Sequence, residues 1–343
     1  MPGKIIFTGL LMAAALAGRR ILAQRDEADL HGQVALITGG SRGLGLALAE
    51  ELAAQGCRLA ICARDAEELE RAAERLRTQH AEVLTIVCDV TDRAQVAAMV
   101  RQVIAHYGAL DLLIANAGII TVSPVQTLKL EDFDRVMAVN FEGVLNTAMT
   151  VLPHMERQRR GRIAVISSLG GKVSVPHLLP YSCAKFAAAG FAAGLRAEVA
   201  GSGITVTAVF PSLMRTGSHV QAEFGGDQPA EYEWFALGAS APYPVSSSAE
   251  RAARLIVGAI RRGDAECIFP FTAVIAARSA SLFPAATAAI LSRVSQVLPD
   301  TSVRPGQNRF VKGAKIKSAA PNAVRDAATV LGTRAAETLN QGV

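Results

Sequence analysis

Cysteine, tryptophan and unbroken apolar runs are scarce in this chain of 343 residues. The five cysteines, Cys57, Cys62, Cys88, Cys183 and Cys267, are scattered and odd in number, which does not make a disulfide framework. Several fall in strand candidates, as reduced core thiols in a reducing compartment would. No Cys/His cluster has zinc-like spacing, so no metal is expected. The apolar stretch 5–18, between Lys4 and the pair Arg19-Arg20, would reach only about 21 Å as a helix, short of the ~30 Å hydrocarbon core. A second apolar stretch, 271–298, is interrupted by Arg278, Pro284 and Arg293 and is not a clean membrane span either. Aromatics are nearly missing from the basic tail over 299–343. There Phe310 stands alone among seven Lys/Arg and three acids, so nucleic acid is not an expected partner. The whole chain carries a net charge of +5, which leaves the body almost neutral.

What is present is a repeating alternation of short apolar runs and helical periodicity. Half of the residues are hydrophobic, enough for a substantial core. Strand candidates lie near 33–38, 58–63, 83–89, 110–115, 162–167, 204–210 and 266–269, with helices between them, the longest near 131–159 and 181–200. Connections of this length join parallel strands through right-handed crossovers. The expected fold is α/β, a Rossmann-type doubly wound parallel sheet of about seven strands with helices on both faces. Ligands of such sheets bind beyond the carboxyl ends of the strands.

Two local devices sit at those ends. The first strand candidate runs into Gly39-Gly40-Ser41-Arg42-Gly43-Leu44-Gly45 and then a helical segment that stops at Gly56. Glycines there let the chain turn sharply and bring bare backbone amides, at the positive end of a helix, up to a pyrophosphate. Further along, Tyr181 and Lys185 are four residues apart in an Ala-rich helical stretch, with Ser168 thirteen residues before the tyrosine. Residues so spaced share a helix face, so the ammonium can lie beside the phenol. A fixed cation there is expected to pull the phenol below its ordinary pKa of about 10, toward the working range of an acid/base.

The motifs Thr38-Gly39-x-x-x-Gly43-x-Gly45, Asp89-Val90, Asn116-Ala117-Gly118, Asn140, Ser168, Tyr181-x-x-x-Lys185 and Pro211-Ser212-x-x-x-Thr216 stand in this order. Through them the chain resembles the short-chain dehydrogenase/reductase family, in its compact single-domain branch, over about residues 31–270. One position departs from the pattern: Ser212 stands where the family usually has glycine. The resemblance implies hydride transfer between nicotinamide and a carbonyl or alcohol carbon. It makes Tyr181 the general acid/base, Lys185 the holder of the ribose hydroxyls and Ser168 a hydrogen-bond partner of the substrate oxygen. Asn140 would bind a water leading from Lys185 to solvent. Thr38, Gly39, Ser41, Arg42, Gly43, Leu44 and Gly45 would form the dinucleotide cradle. Asp89 and Val90 would lie at the adenine, Asn116, Ala117 and Gly118 beside the ribose, and Pro211 and Thr216 at the nicotinamide.

Cofactor choice turns on the end of the second strand, where an acid suits a free ribose hydroxyl and arginine a 2′-phosphate. Here Ala63 is followed by Arg64, and Arg42 supplies a second guanidinium, which favours NADP(H) over NAD(H). Asp65 competes for that place, but Asp65-Ala66-Glu67-Glu68 reads as a helix capping box. Segments 170–180 and 213–244 are expected to select the substrate. Met214, His219, Phe224, Tyr232, Trp234 and Phe235 in the second suggest a bulky apolar carbonyl or alcohol, with His219 structural rather than catalytic. Residues 1–30 are expected to form an apolar helix in a membrane surface or a marginal anchor, a helix packed on the protein's own body being the alternative. Ala15-Leu16-Ala17 looks like a cleavage site, but export would separate the chain from its cofactor pool. The expected location is therefore the cytoplasm, or the cytoplasmic face of a membrane. Residues 271–298 are expected to be two short amphipathic helices covering the pocket or a lipid surface. The tail 299–343 is expected to be disordered apart from a weak helix near 322–339. The long helices near 131–159 and 181–200 would assemble a homodimer or homotetramer. A non-catalytic nucleotide-sensing or scaffold protein on the same fold is the competing function, and such proteins typically lack the tyrosine or lysine retained here.

Overall fold

The computed structural model describes residues 27–300, 303, 308–319 and 323–341, so nearly all of the expected N-terminal helix lies outside the described residues. In chain order the elements are β1 (Val34–Thr38), α1 (Gly43–Ala54), β2 (Arg58–Ala63), α2 (Ala66–Arg77), β3 (Val83–Val87), α3 (Arg93–Tyr107), β4 (Leu112–Ala115) and β5 (Thr121–Val122). Next come α4 (Leu130–Met137), α5 (Gly143–Gln158), β6 (Gly161–Ile166), α6 (Leu179–Glu198), β7 (Ile204–Pro211), β8 (Met214–Arg215), α7 (Ser218–Gln221) and β9 (Glu223–Phe224). The chain continues through α8 (Gln228–Ser240), β10 (Ser247–Ser248), α9 (Ala249–Arg262), β11 (Glu266–Phe269), α10 (Phe271–Leu282) and α11 (Pro284–Ser295). It closes with β12 (Val311–Lys312), α12 (Gly313–Ala319), α13 (Ala323–Ala328) and α14 (Val330–Thr338).

Seven strands form one sheet in the order β11-β7-β6-β4-β1-β2-β3, every neighbouring pair parallel. The sequence reverses direction between β1 and β4, the switch point where such sheets bind ligands. Strand β1 is buried along its whole length, and its alternate side chains feed two cores. Val34 and Leu36 join the core beneath α3, α5 and α6; Ala35 and Ile37 join the one beneath α1, α2 and α9.

Helix ends differ in a way that matters for binding. Asp65 caps α2 by accepting from Glu68 N at 3.0 Å, and Asp92 caps α3 by accepting from Ala94 N at 2.8 Å. Helix α1 begins at Gly43 without a side-chain cap, and its first amide donates instead to Leu339 O at 2.9 Å. The expected long helix near 131–159 is broken by one π-turn over Ala138–Glu142, which contains Asn140; such bulges recur at functional sites.

The C-terminal part corrects the expectation of disorder. Val311–Lys312 adds antiparallel to β9, and three helices follow over the described residues 313–319 and 323–338. Small side chains make this segment dockable rather than solvated. Ala336 and Leu339 are buried, and a Cβ on Gly332 would lie 2.1 Å from Ser240 Oγ. Helices α10 and α11 meet at 119°, and among the described residues no single helix is long and apolar enough to cross a membrane.

Candidate active site

A cleft of about 820 Å³ opens along the carboxyl ends of β1, β2, β3, β4, β6 and β7. Its floor is the glycine turn, and the fit there is set by bare backbone. A Cβ on Gly45 would sit 2.0 Å from Gly39 O, and one on Gly39 would sit 3.0 Å from Ala117 Cα. Gly39 and Gly43 have φ of +65° and +56°, which side chains beyond Cα disfavour. Backbone amides at a helix start without a side-chain cap, closely packed glycines and a cleft running along six strand ends fit an extended dinucleotide.

Of the residues expected to bind or react, Gly39, Ser41, Arg42, Gly43, Leu44, Gly45, Arg64, Asp89, Val90, Asn116, Ala117, Gly118, Ser168, Tyr181, Lys185, Pro211 and Thr216 all line this one cleft. Thr38 and Asn140 stand behind it. The Thr38 hydroxyl accepts from Asn116 N at 3.0 Å and Ala117 N at 3.1 Å, tying the end of β1 to the end of β4. Asn116 itself donates to the carbonyls of Thr38 and Gly39. Asn140 is fully buried and bonded both ways to Ile119, accepting from its N–H at 2.8 Å and donating to its carbonyl at 2.9 Å. Ser212 needs no positive φ and donates its N–H to Phe269 O at 3.0 Å, so serine in place of glycine is accommodated without strain.

At the reactive end, Lys185 is buried and donates to Ile166 O at 2.8 Å, with its Nζ 5.7 Å from the Tyr181 ring centre. Burial lowers its pKa to about 8. The same burial raises the Tyr181 phenol above its ordinary value, opposed by a hydrogen bond with Ser168. The expected downward pull by the ammonium therefore does not dominate, because desolvation of the phenolate is the larger effect. Ser168 accepts from Gly170 N at 3.0 Å, which fixes its hydroxyl at the end of β6.

The adenosine end differs from the expected capping box. Glu68 donates its N–H to Asp65, but its carboxylate turns away to Arg42 Nη1 at 2.7 Å and Ser41 Oγ at 3.2 Å. Arg64 is two-thirds exposed, 4.0 Å from Asp89. At the opposite end the aromatics separate into two groups. Met214, Trp234 and Phe235 face the cleft with Ile120, Leu178 and Leu213, whereas His219, Phe224 and Tyr232 are buried away from it. No residue of 271–298 lines the cleft, so the two helices there do not cover the pocket.

Several residues at the site have no signal in the sequence. Glu231 is fully buried, with His177 Nδ1 at 2.7 Å and the Trp234 indole N–H at 2.7 Å. It ties the 170–180 loop to α8 across the apolar end of the cleft. Gln341 and Lys312 reach the cleft from the C-terminal segment, which no motif connects to it.

Known proteins share this sequence pattern and fold. The profile described as short chain dehydrogenase matches residues 33–224. A dehydrogenase/reductase SDR family protein 7-like of Anopheles gambiae is 35% identical over 231 residues, covering 66% of this chain and 73% of that protein. A short chain dehydrogenase/reductase from Burkholderia phymatum, solved with NAD, superposes with a TM-score of 0.69 at 24% identity over 74% of this chain and 95% of its own, a likeness of fold. An actinorhodin polyketide ketoreductase variant solved with NADPH superposes with a TM-score of 0.62 at 30% identity over 69% of this chain and 95% of its own. With the sheet order, the glycine cradle and the Tyr181–Lys185 pair on one cleft, these matches establish that the chain belongs to the short-chain dehydrogenase/reductase family and is an NAD(P)-dependent oxidoreductase.

Proposed function

We propose that this chain is an NADP(H)-preferring reductase of apolar carbonyls, or in reverse a dehydrogenase of the corresponding secondary alcohols. The observation that carries this reading is the meeting of Tyr181, Ser168 and Lys185 in the same cleft as the glycine turn. The dinucleotide supplies the hydride when bound. Ser168 and Tyr181 hold the substrate oxygen, where negative charge develops as hydride arrives at the carbonyl carbon. A buried phenol that keeps its proton suits the acid role in reduction, and Tyr181 passes that proton to the oxygen. Lys185 would hold the ribose hydroxyls of the bound dinucleotide and, through a water near Asn140, would return the proton to Tyr181. The apolar lining at Leu178, Leu213, Trp234 and Phe235 supports an apolar substrate.

The preference for NADP(H) rests on two guanidinium groups at the adenosine end. Arg42 and Arg64 remain partly exposed, with side-chain exposures of 33% and 66%, although Glu68 engages Arg42. Guanidinium–phosphate contacts are charge-assisted and worth roughly 1.5–3 kcal/mol. Arg64→Ala is therefore expected to raise the KM for NADPH by about tenfold to a hundredfold while that for NADH changes little. Equal changes for both cofactors in steady-state assays overturn the assignment.

Contact with a membrane surface is supported by the bent pair α10 and α11. Phe271, Ile275, Leu282, Phe283 and Ile290 are all exposed there, and 271–298 holds two arginines and no acid. The double variant Phe283→Asp/Ile290→Asp is expected to lower co-sedimentation with phosphatidylglycerol vesicles about tenfold or more, given ~1.5–3 kcal/mol per buried large apolar side chain. Undiminished co-sedimentation excludes this surface. Exposed Met149 on α5 and Phe186 on α6 support pairing of copies through those helices, as a dimer or tetramer.

A further inference from the structure

We infer that the C-terminal segment is a clasp on the dinucleotide cleft, and that Gln341 is a cofactor-binding residue whose Oε1 accepts a hydrogen bond from the bound dinucleotide. The inference rests on the reading of this cleft as a dinucleotide site.

The segment is tied to the cradle at several points. Leu339 O accepts the N–H of Gly43 at 2.9 Å, so the first amide of α1 is capped by the chain's own end. Asn340 donates to Ser41 O at 2.8 Å and Glu68 O at 2.9 Å and accepts from Arg71 Nε at 3.1 Å. Gln341 then crosses the gap. Its Nε2 donates to Thr216 O at 2.7 Å and lies 2.7 Å from where a Cβ of Gly43 would be. Its backbone carbonyl accepts from Gln221 Nε2 at 2.6 Å. The side chain thus bridges the phosphate-cradling turn and the segment after β7, the two walls between which the middle of a dinucleotide passes.

The bridge is incomplete on one side. Gln341 is 4% exposed and lines the cleft, yet its Oε1 has no hydrogen-bond partner. A buried amide oxygen left alone costs about 1–3 kcal/mol, so the position is suited to a ligand that brings a donor. A phosphate oxygen brings none; a ribose hydroxyl or the nicotinamide carboxamide does. With the segment in place the cleft still measures about 820 Å³, and Gln341 and Lys312 form part of its lining. No described strand of the C-terminal segment belongs to the seven-stranded sheet, so the bar can open without disturbing that sheet, and its opening would set the rate at which the dinucleotide leaves.

The test is dinucleotide binding by fluorescence titration and stopped-flow, with hydrogen exchange over 330–341. In the wild-type chain NADPH is expected to slow exchange of that peptide, because a clasp that stabilises the ligand is stabilised by it. Gln341→Ala is expected to raise the Kd for NADPH and NADH alike by about fivefold to twentyfold, mostly through faster release. Asn340→Ala, which loosens the clasp and leaves Gln341 intact, is expected to move Kd in the same direction by less. Unchanged or tighter binding in Gln341→Ala, or exchange indifferent to NADPH, overturns the clasp. A wild-type chain that binds neither dinucleotide instead removes the reading of the cleft itself.

Discussion

Tyr181→Phe is expected to lower kcat for carbonyl reduction by about 10²–10⁴-fold, roughly 3–5 kcal/mol of barrier, while the Kd for NADPH stays within about twofold. The substitution removes one hydroxyl and keeps the ring, so the cleft retains its shape and Lys185 keeps its bond to Ile166 O. What is lost is the proton donor. Burial holds that proton on the phenol, and Ser168 is the hydrogen-bonding neighbour that opposes the shift. Lys185, with its pKa lowered to about 8, still carries its charge at pH 7 and sheds it as pH rises past that value. Steady-state rates together with binding titrations decide the matter. Turnover that survives removes Tyr181 from the chemistry, and binding that collapses makes its role structural.

Glu231→Ala is expected to destabilise the protein by about 3–5 kcal/mol, lowering the melting temperature by roughly 4–7 °C. Both carboxylate oxygens are engaged in a site with no access to water, one by His177 and one by Trp234. Truncation removes the partner of the half-buried His177 ring and Trp234 indole N–H and leaves a void at a fully buried position, and both effects add to the loss. The effect extends to function, because the bridge holds the 170–180 loop and α8 against each other. Leu178 and Trp234, which line the apolar end, hang on those two elements. Glu231→Gln keeps the shape and part of the hydrogen bonding and is expected to lose about half as much. Calorimetry measures both, and a Glu231→Ala protein melting within about 2 °C of wild type refutes the bridge.

The legible parts of this molecule are those encoded by neighbours in the chain. All seven main strands could be placed from apolar runs and their spacing, most directly the inner ones such as β1, because strands buried on both faces are continuous in hydrophobicity. The cradle was legible for a related reason: Gly39, Gly43 and Gly45 act through their own backbone, within one turn. Tyr181 and Lys185 share a helix, so four-residue spacing was enough to bring them together, although not to say that burial would outweigh the cation at the phenol. The Asp65 cap was legible; the turn of Glu68 toward Arg42 was not, since it depends on how α2 is packed against the start of α1.

Sequence by itself determined the doubly wound sheet, the cleft at its carboxyl ends and the motif residues along it, because each follows from local pattern and right-handed connection. Tertiary structure alone decided that the described residues of a polar, Ala-rich C-terminal segment pack as an arm on the cleft rather than as a solvated tail, and that Glu231 and His177 join α8 to the 170–180 loop beneath the apolar end. The physical reason is common to both. Small residues such as Gly332 and Ala336, and polar ones such as Glu231, Asn340 and Gln341, carry no periodic signature, and their burial depends on partners supplied from far along the chain.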